Sequence, residues 1–505
     1  MKPWSLLVVA LLVATTARSA EETFAPAAIF SNHMVLQRDR AVPIWGRAQP
    51  GARVTVEWDG RNTTATTGPD GRWVVTLDPC AATAEPQDMM LRASSPPAEL
   101  RITDVVVGDV WFCSGQSNMH LRMTGVEHAQ EEIAAADVPG VRFFSCDHQF
   151  AQQPLDDVGG HWKPISPTTA GECSAVAYYF ARDLRRHRDV PIGLVVAAVG
   201  GTRIESWMSR EAMTAGGDDG VLLESWADVS AAEFATIAAT YRDYQHQRDH
   251  VHPQAVRAAR ASGQPPPPAP QRPKRRCHDC PTALHNGMVA PLRRLSLRGV
   301  IWYQGESNST RPAAYEGLLP ALIAEWRGVW GAEMPFLFVQ LAPYRDTHPA
   351  FREAQHRIWQ ATPATAMVVT TDVGDAHNIH PIRKRPVGER LALAARALAY
   401  GDDVEYSGPI LSGVRIDGDR AVVAFTHVGS GLVARGDVLT GFTIAGPDGR
   451  FVPARAEIDG ATVVVASDAI PQPTSVRYGW AHVPDGNLFS REGLPAAPFR
   501  SELPP

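Results

Sequence analysis

Beyond its first twenty residues the chain has no stretch long and apolar enough to cross a bilayer, a crossing that takes about 20 apolar residues. No stable membrane insertion is expected. Charge of one sign is also scarce: 48 Lys and Arg stand against 54 Asp and Glu, a net charge of −6. Binding along a phosphate backbone calls for a basic excess, so nucleic acid is not an expected partner. Cysteine is sparse, with six in 505 residues. Cys277-His-Asp-Cys280 has the two-residue gap of a zinc half-site or a redox pair. No second Cys-x-x-Cys pair completes a zinc site, so disulfides or free thiols are the preferred reading and no metal is expected. No internal repeat is present, which sets repeat architectures aside.

What is present begins with a leader. Lys2 supplies a positive start, Leu6 to Ala14 is apolar, and small residues follow through Ala20. This is the pattern of a secretory signal peptide over residues 1–20, with cleavage after Ala17 or Ala20. A secreted or periplasmic location is expected. The remaining length predicts two to four domains.

Residues 21–104 read as an N-terminal β domain. Val54-Thr-Val-Glu-Trp58 alternates as a half-buried strand does, Gly68-Pro-Asp-Gly71 is a turn, and Trp73 to Leu77 is the next strand. Short strands at this spacing suggest a small sandwich. Near Val105 the texture changes to continuous apolar runs: Val105–Phe112, Pro191–Val199, Gly299–Tyr303, Phe336–Leu341 and Ala366–Thr371. Such runs suit parallel strands buried on both faces. Helical periods lie between or after them, at Val176–Arg186, Tyr315–Val329, Pro349–Ala361 and Val387–Leu398. Strand alternating with helix predicts an α/β domain with a doubly wound parallel sheet over residues 105–406. An insertion at about 212–283 interrupts it, first helical, then polar, with a proline run from Pro265 and the basic trio Lys274-Arg-Arg276. Short strands and turns return over 407–505, a C-terminal β domain.

Four segments carrying chemical groups each follow a predicted buried strand, and ligands of such sheets gather at the strands' C-terminal ends. Ser117, in Gly115-Gln-Ser-Asn-Met119, sits where a strand turns into a helix. A serine there is more often a helix cap than a nucleophile when judged alone. Gly200-Gly201 permits close backbone approach, and its amides can hold an oxyanion. In Gln304-Gly-Glu-Ser-Asn308, the side-chain amides of Gln304 and Asn308 are further donors. Glu306 either orients a catalytic group or satisfies backbone donors. Asp372-Val-Gly-Asp-Ala-His-Asn-Ile-His380 supplies a base. His380 is preferred over His377, because Pro381 and a helical run follow it.

Together these blocks resemble the sialate O-acetylesterase family of the SGNH hydrolase superfamily. The resemblance runs from His33-Met-Val-Leu-Gln37 and Val42-Pro-Ile-Trp-Gly46 through Gly108-Asp-Val-Trp-Phe-Cys-Ser-Gly-Gln-Ser-Asn-Met119 and Leu284-His-Asn-Gly-Met288. It continues through Gly299 to Asn308 and Ile379-His-Pro381, with Lys384, Val387-Gly388 and Arg390-Leu391. It implies an SGNH core with no cofactor, Ser117 as nucleophile and His380 as general base. The oxyanion hole it implies combines the Ser117 amide, the Gly200-Gly201 turn, and Gln304 or Asn308. Superfamily relatives often carry an Asp three residues before the histidine, where this chain has His377. Asp375, Asp372 and Glu306 are the candidate acids, with Asp375 preferred, and a Ser–His dyad oriented by a backbone carbonyl is the alternative. The expected partner is an acetylated carbohydrate, either sialic acid or a hemicellulose such as xylan or xyloglucan. A non-catalytic glycan-binding protein and a secreted serine peptidase are the rival readings.

Overall fold

The computed structural model describes residues 24–217 and 220–501. The expected signal peptide lies outside them. None of the described helices is long and apolar enough to cross a membrane.

The apolar run at Val105 is the second half of one strand, Pro97–Gly115, whose residues from Val105 onward are all buried. This strand runs across the expected boundary between residues 104 and 105. Its first half pairs antiparallel with Thr83–Ser94. Its second half is a central strand of a largely parallel sheet. The order across that sheet is Gly160–Pro164, Val141–Cys146, Ile192–Ala198, Pro97–Gly115, Gly299–Tyr303, Phe336–Val339, Thr365–Val368. Along this order, only the edge strand Gly160–Pro164 is antiparallel to its neighbour. The protein is thus a mixed α/β structure with extra β regions at both ends.

Register decides where the site lies. Ala198 and Tyr303 both stand opposite Gly115 on the neighbouring strands. The three chains therefore leave the sheet side by side, at the same level. Gly115 itself has φ +139°, and a Cβ there would lie 2.1 Å from the Tyr303 carbonyl oxygen. Only glycine lets the chain turn off the sheet at that point.

The helices follow their periods closely. Pro349–Ala361 has the expected bounds. Pro312–Trp330 buries Leu318, Leu319, Leu322, Ile323 and Trp326 as one stripe. Ala175–His187 packs against Arg385–Tyr400. Trp73, Trp111, Trp207, Trp302 and Trp326 are fully buried, so they serve the core and not sugar stacking. All six cysteines are free thiols, five of them buried.

At the N-terminal end, Arg53–Trp58 buries Val54, Val56 and Trp58 in alternation, and Arg72–Leu77 pairs with Val42–Arg47. The C-terminal strands form sheets of four, two and four strands over a hydrophobic cluster of their own. Buried Arg352 ties them to the centre, donating to the carbonyls of Leu341 (2.9 Å), Ala481 (2.8 Å) and His482 (2.8 Å). The interrupting segment holds the helices Ala231–His246 and His252–Ala261. The proline run after them has no regular structure.

Candidate active site

Ser117 opens a one-turn helix, Ser117–His120, straight off the central strand. His380 lies in the loop between Thr365–Val368 and Arg385–Tyr400. Across 263 positions of sequence, His380 Nε2 comes within 2.8 Å of Ser117 Oγ. This is hydrogen-bond distance for a nucleophile and its base.

Gly200 packs directly against the serine: a Cβ on it would lie 3.3 Å from Ser117 Cβ. Gly201 takes φ +75° and turns the chain away. Among the described residues, the amides of Ser117 and Gly200 have no protein acceptor, so both are free to donate to a ligand.

Gln304 and Asn308 are close by but face inward. Gln304 Nε2 is shared between Asn308 Oδ1 (2.8 Å), Thr202 O (3.1 Å) and Gln116 Oε1 (3.2 Å). Asn308 Nδ2 donates to Glu205 Oε2 at 2.8 Å, and its Oδ1 accepts from the Ile204 amide at 3.0 Å. Neither side chain lines the cavity above Ser117. Their hydrogen bonds hold the Gly200–Ile204 turn in place instead of reaching a ligand. The expectation of a side-chain oxyanion donor from these two is corrected on that ground.

The three candidate acids are also engaged elsewhere. The Asp375 carboxylate accepts from the amides of His377 (2.8 Å) and Asn378 (3.1 Å), shaping the loop before the histidine. Asp372 pairs with Arg390 through both oxygens at 2.7 Å. Glu306 accepts from Asn118 Nδ2. Among the described residues none of them bonds His380 Nδ1. The preferred acid, Asp375, makes no hydrogen bond to the imidazole; its Oδ1 serves the two amides at 377 and 378. His377 is exposed and does not line the cavity above Ser117.

Electrostatics favour a neutral imidazole. Burial, reinforced by the charge of Lys384, holds His380 below the ordinary histidine range. Burial pulls Lys384 down to about 7, opposed by Glu306. Burial also lifts the Glu306 carboxyl above its usual range.

Above the serine lies a cavity of about 810 Å³. One wall comes from the interrupting segment, with Tyr241, Tyr244, Arg248 and Arg272. His278, the middle of the Cys277–Cys280 motif, lies in the same wall. It is 1% exposed, and burial drops it to about 3, so its ring is neutral. The sequence allows the insertion at about 212–283 to shape the leaving-group side but names none of these residues, since nothing in a proline-rich polar segment signals where it folds back. It also gave no role to Gln116, whose Oε1 accepts from the amides of Gly305 (3.4 Å) and Ser307 (3.3 Å).

Comparison with known proteins gives this geometry its class. A family model described as carbohydrate esterase, sialic acid-specific acetylesterase, matches residues 107–217 and 281–396. The two matched stretches contain Ser117, Gly200, Glu306 and His380, and leave out the helical and proline-rich segment between them. A sialate O-acetylesterase from Rattus norvegicus is 30% identical over 98% of this chain and 98% of its own length. One from Mus musculus is 31% identical over 83% of this chain and 82% of its own. The crystal structure of a carbohydrate acetylesterase from Xanthomonas citri superposes with a TM-score of 0.79 at 35% identity, covering 95% of this chain and 99% of that one. The protein is an esterase. The chain belongs to the sialate O-acetylesterase family.

Proposed function

We propose that this protein is a secreted carbohydrate O-acetylesterase, acting on O-acetylated sugars such as sialic acids through an acyl-enzyme on Ser117 of an SGNH-type core. The observation that carries the mechanism is the 2.8 Å contact between His380 Nε2 and Ser117 Oγ. His380 accepts the hydroxyl proton as Ser117 Oγ attacks the acetyl carbonyl. The amides of Ser117 and Gly200 hold the resulting oxyanion. The C–O bond to the sugar breaks, and the sugar oxygen leaves with the proton from His380. Water then attacks the acetyl-serine by the same steps and releases acetate.

The cavity supports a sugar ester as substrate. About 810 Å³ is far more than an acetyl group fills, and sites of this size take drug-sized ligands. Its wall of tyrosines and arginines offers flat faces and donors to a glycan. Secretion rests on the leader pattern from Lys2 to Ala20.

The test is Ser117→Ala, assayed by acetate release from acetylated sialic acid and from a chromogenic acetate. Loss of about 10⁴-fold or more in kcat is expected, with the thermal midpoint unchanged. A folded variant with wild-type turnover would sink the assignment. Side-by-side release from acetylated xylan and xyloglucan measures the sugar preference.

A further inference from the structure

In a Ser–His site the imidazole must be fixed with one nitrogen on the hydroxyl, a task usually given to an acid. Here His380 Nδ1 has no partner among the described residues, yet the ring is aimed at Ser117. The loop carrying it is held from the other side of the dyad, by the residue next to the nucleophile.

Asn118 is 1% exposed. Its Nδ2 donates to the carbonyl of Ile379, immediately before His380, at 3.0 Å. Its Oδ1 accepts from Lys384 Nζ, four residues after His380, at 2.5 Å. One side-chain amide thus bridges both flanks of the base while being covalently tied to the nucleophile. Glu306 also accepts from Asn118 Nδ2, which fixes the amide's orientation: oxygen toward the ammonium, nitrogen toward carboxylate and carbonyl. Lys384 is itself 1% exposed, with its Nζ 5.1 Å from the centre of the Tyr303 ring. Its surroundings are Glu306 and Tyr303 from one side, Asn118 from another and His380 from its own loop. The other Glu306 oxygen is buried without a partner.

We propose that Asn118, oriented by Lys384 and Glu306, is the positioning residue that does for His380 what a carboxylate does in a triad. The inference rests on Ser117 and His380 being nucleophile and base. The bracket fixes the imidazole's position from both flanks of the base. No carboxylate behind the ring is needed for that.

The test compares Ser117→Ala, Asn118→Leu, Lys384→Met and Lys384→Arg by steady-state kinetics on a chromogenic acetate and by the rate of Ser117 labelling with a phosphonate. Asn118→Leu is expected to lower kcat about 100-fold with KM nearly unchanged, and to slow labelling in parallel. Lys384→Met, which removes the donor to Asn118 Oδ1, is expected to slow labelling and lower kcat about tenfold with KM nearly unchanged, and Lys384→Arg to restore both in part. A folded Asn118→Leu enzyme with kcat and labelling within threefold of wild type overturns the positioning role. Labelling and kcat unchanged in Lys384→Met overturn the part given to Lys384. If Asn118→Leu does not fold, Lys384→Met decides, since loss of the bracket's donor must slow labelling. Full activity in Ser117→Ala would instead strike at the reading beneath, which separates the two failures.

Discussion

Replacing Asp375 with Asn removes its charge and keeps an acceptor oxygen in place. If Asp375 stood behind His380 as a triad acid, the change would cost about 10⁴ in kcat, the loss seen in serine proteases, or roughly 5.4 kcal/mol of transition-state stabilisation. The structure places the carboxylate elsewhere, on the amides of His377 at 2.8 Å and Asn378 at 3.1 Å. Those bonds are exposed, and each contributes about 1 kcal/mol at most to ordering the loop. The Asn oxygen retains both acceptor positions. The expected loss in kcat is therefore under about tenfold, and Asp375→Ala, which loses both bonds, should be somewhat worse than Asp375→Asn. Steady-state kinetics on a chromogenic acetate, with His380→Ala as the reference for a disabled base, measures the difference. A loss of 10³-fold or more in Asp375→Asn, in a protein with a wild-type melting curve, would refute the dyad and restore the acid.

Three further outcomes follow from the geometry. Gly200→Ala puts a methyl 3.3 Å from Ser117 Cβ, and the serine must shift by a few tenths of an ångström. A kcat loss of about 10- to 100-fold with little change in melting temperature is expected, whereas unchanged kcat would mean that the serine tolerates the shift. His278, buried, and His356, partly buried, are neutral, held by desolvation to about 3 and about 4. As pH falls below the unfolded value near 6.5, the unfolded chain takes up protons that the folded chain refuses. Stability should thus fall by about 1.4 kcal/mol per pH unit for each, or about 2 kcal/mol each between pH 7 and pH 5. Urea midpoints at the two pH values measure this, and His278→Gln should remove its share of the slope. Arg352→Met strands three carbonyls that now accept at 2.8–2.9 Å. A loss of about 3 kcal/mol or more is expected in denaturant unfolding, and a loss under 1 kcal/mol would remove Arg352 as the tie to the C-terminal strands.

Much of the architecture was legible because it is local. Continuous apolar runs suit strands buried on both faces, and those from Val105, Ile192 and Gly299 are such strands. Pro349 at the start of its helix, with a period of 3.6 behind it, gave that helix its bounds. The family blocks also pointed to Ser117 and His380, which lie 2.8 Å apart. A boundary at residue 104 was read from a change in texture, but the strand Pro97–Gly115 continues through it, since pairing partners can change along one strand without a break in the backbone.

By itself, then, the sequence determined the elements, their order and the chemical groups at their ends. The directions of those groups were decided only in three dimensions. Asp375 and Asp372 are both plausible acids on spacing, and the fold gives one to two amides and the other to Arg390. Gln304 and Asn308 carry the right donors, and the fold turns them inward. The sequence gives Asn118, next to Ser117, no task of its own. Only the packing of the His380 loop against the end of the central strand lets its amide reach Ile379 and Lys384 together. A side chain's chemistry is encoded one residue at a time, whereas its partner is set by whichever distant segment the core brings within about 3 Å.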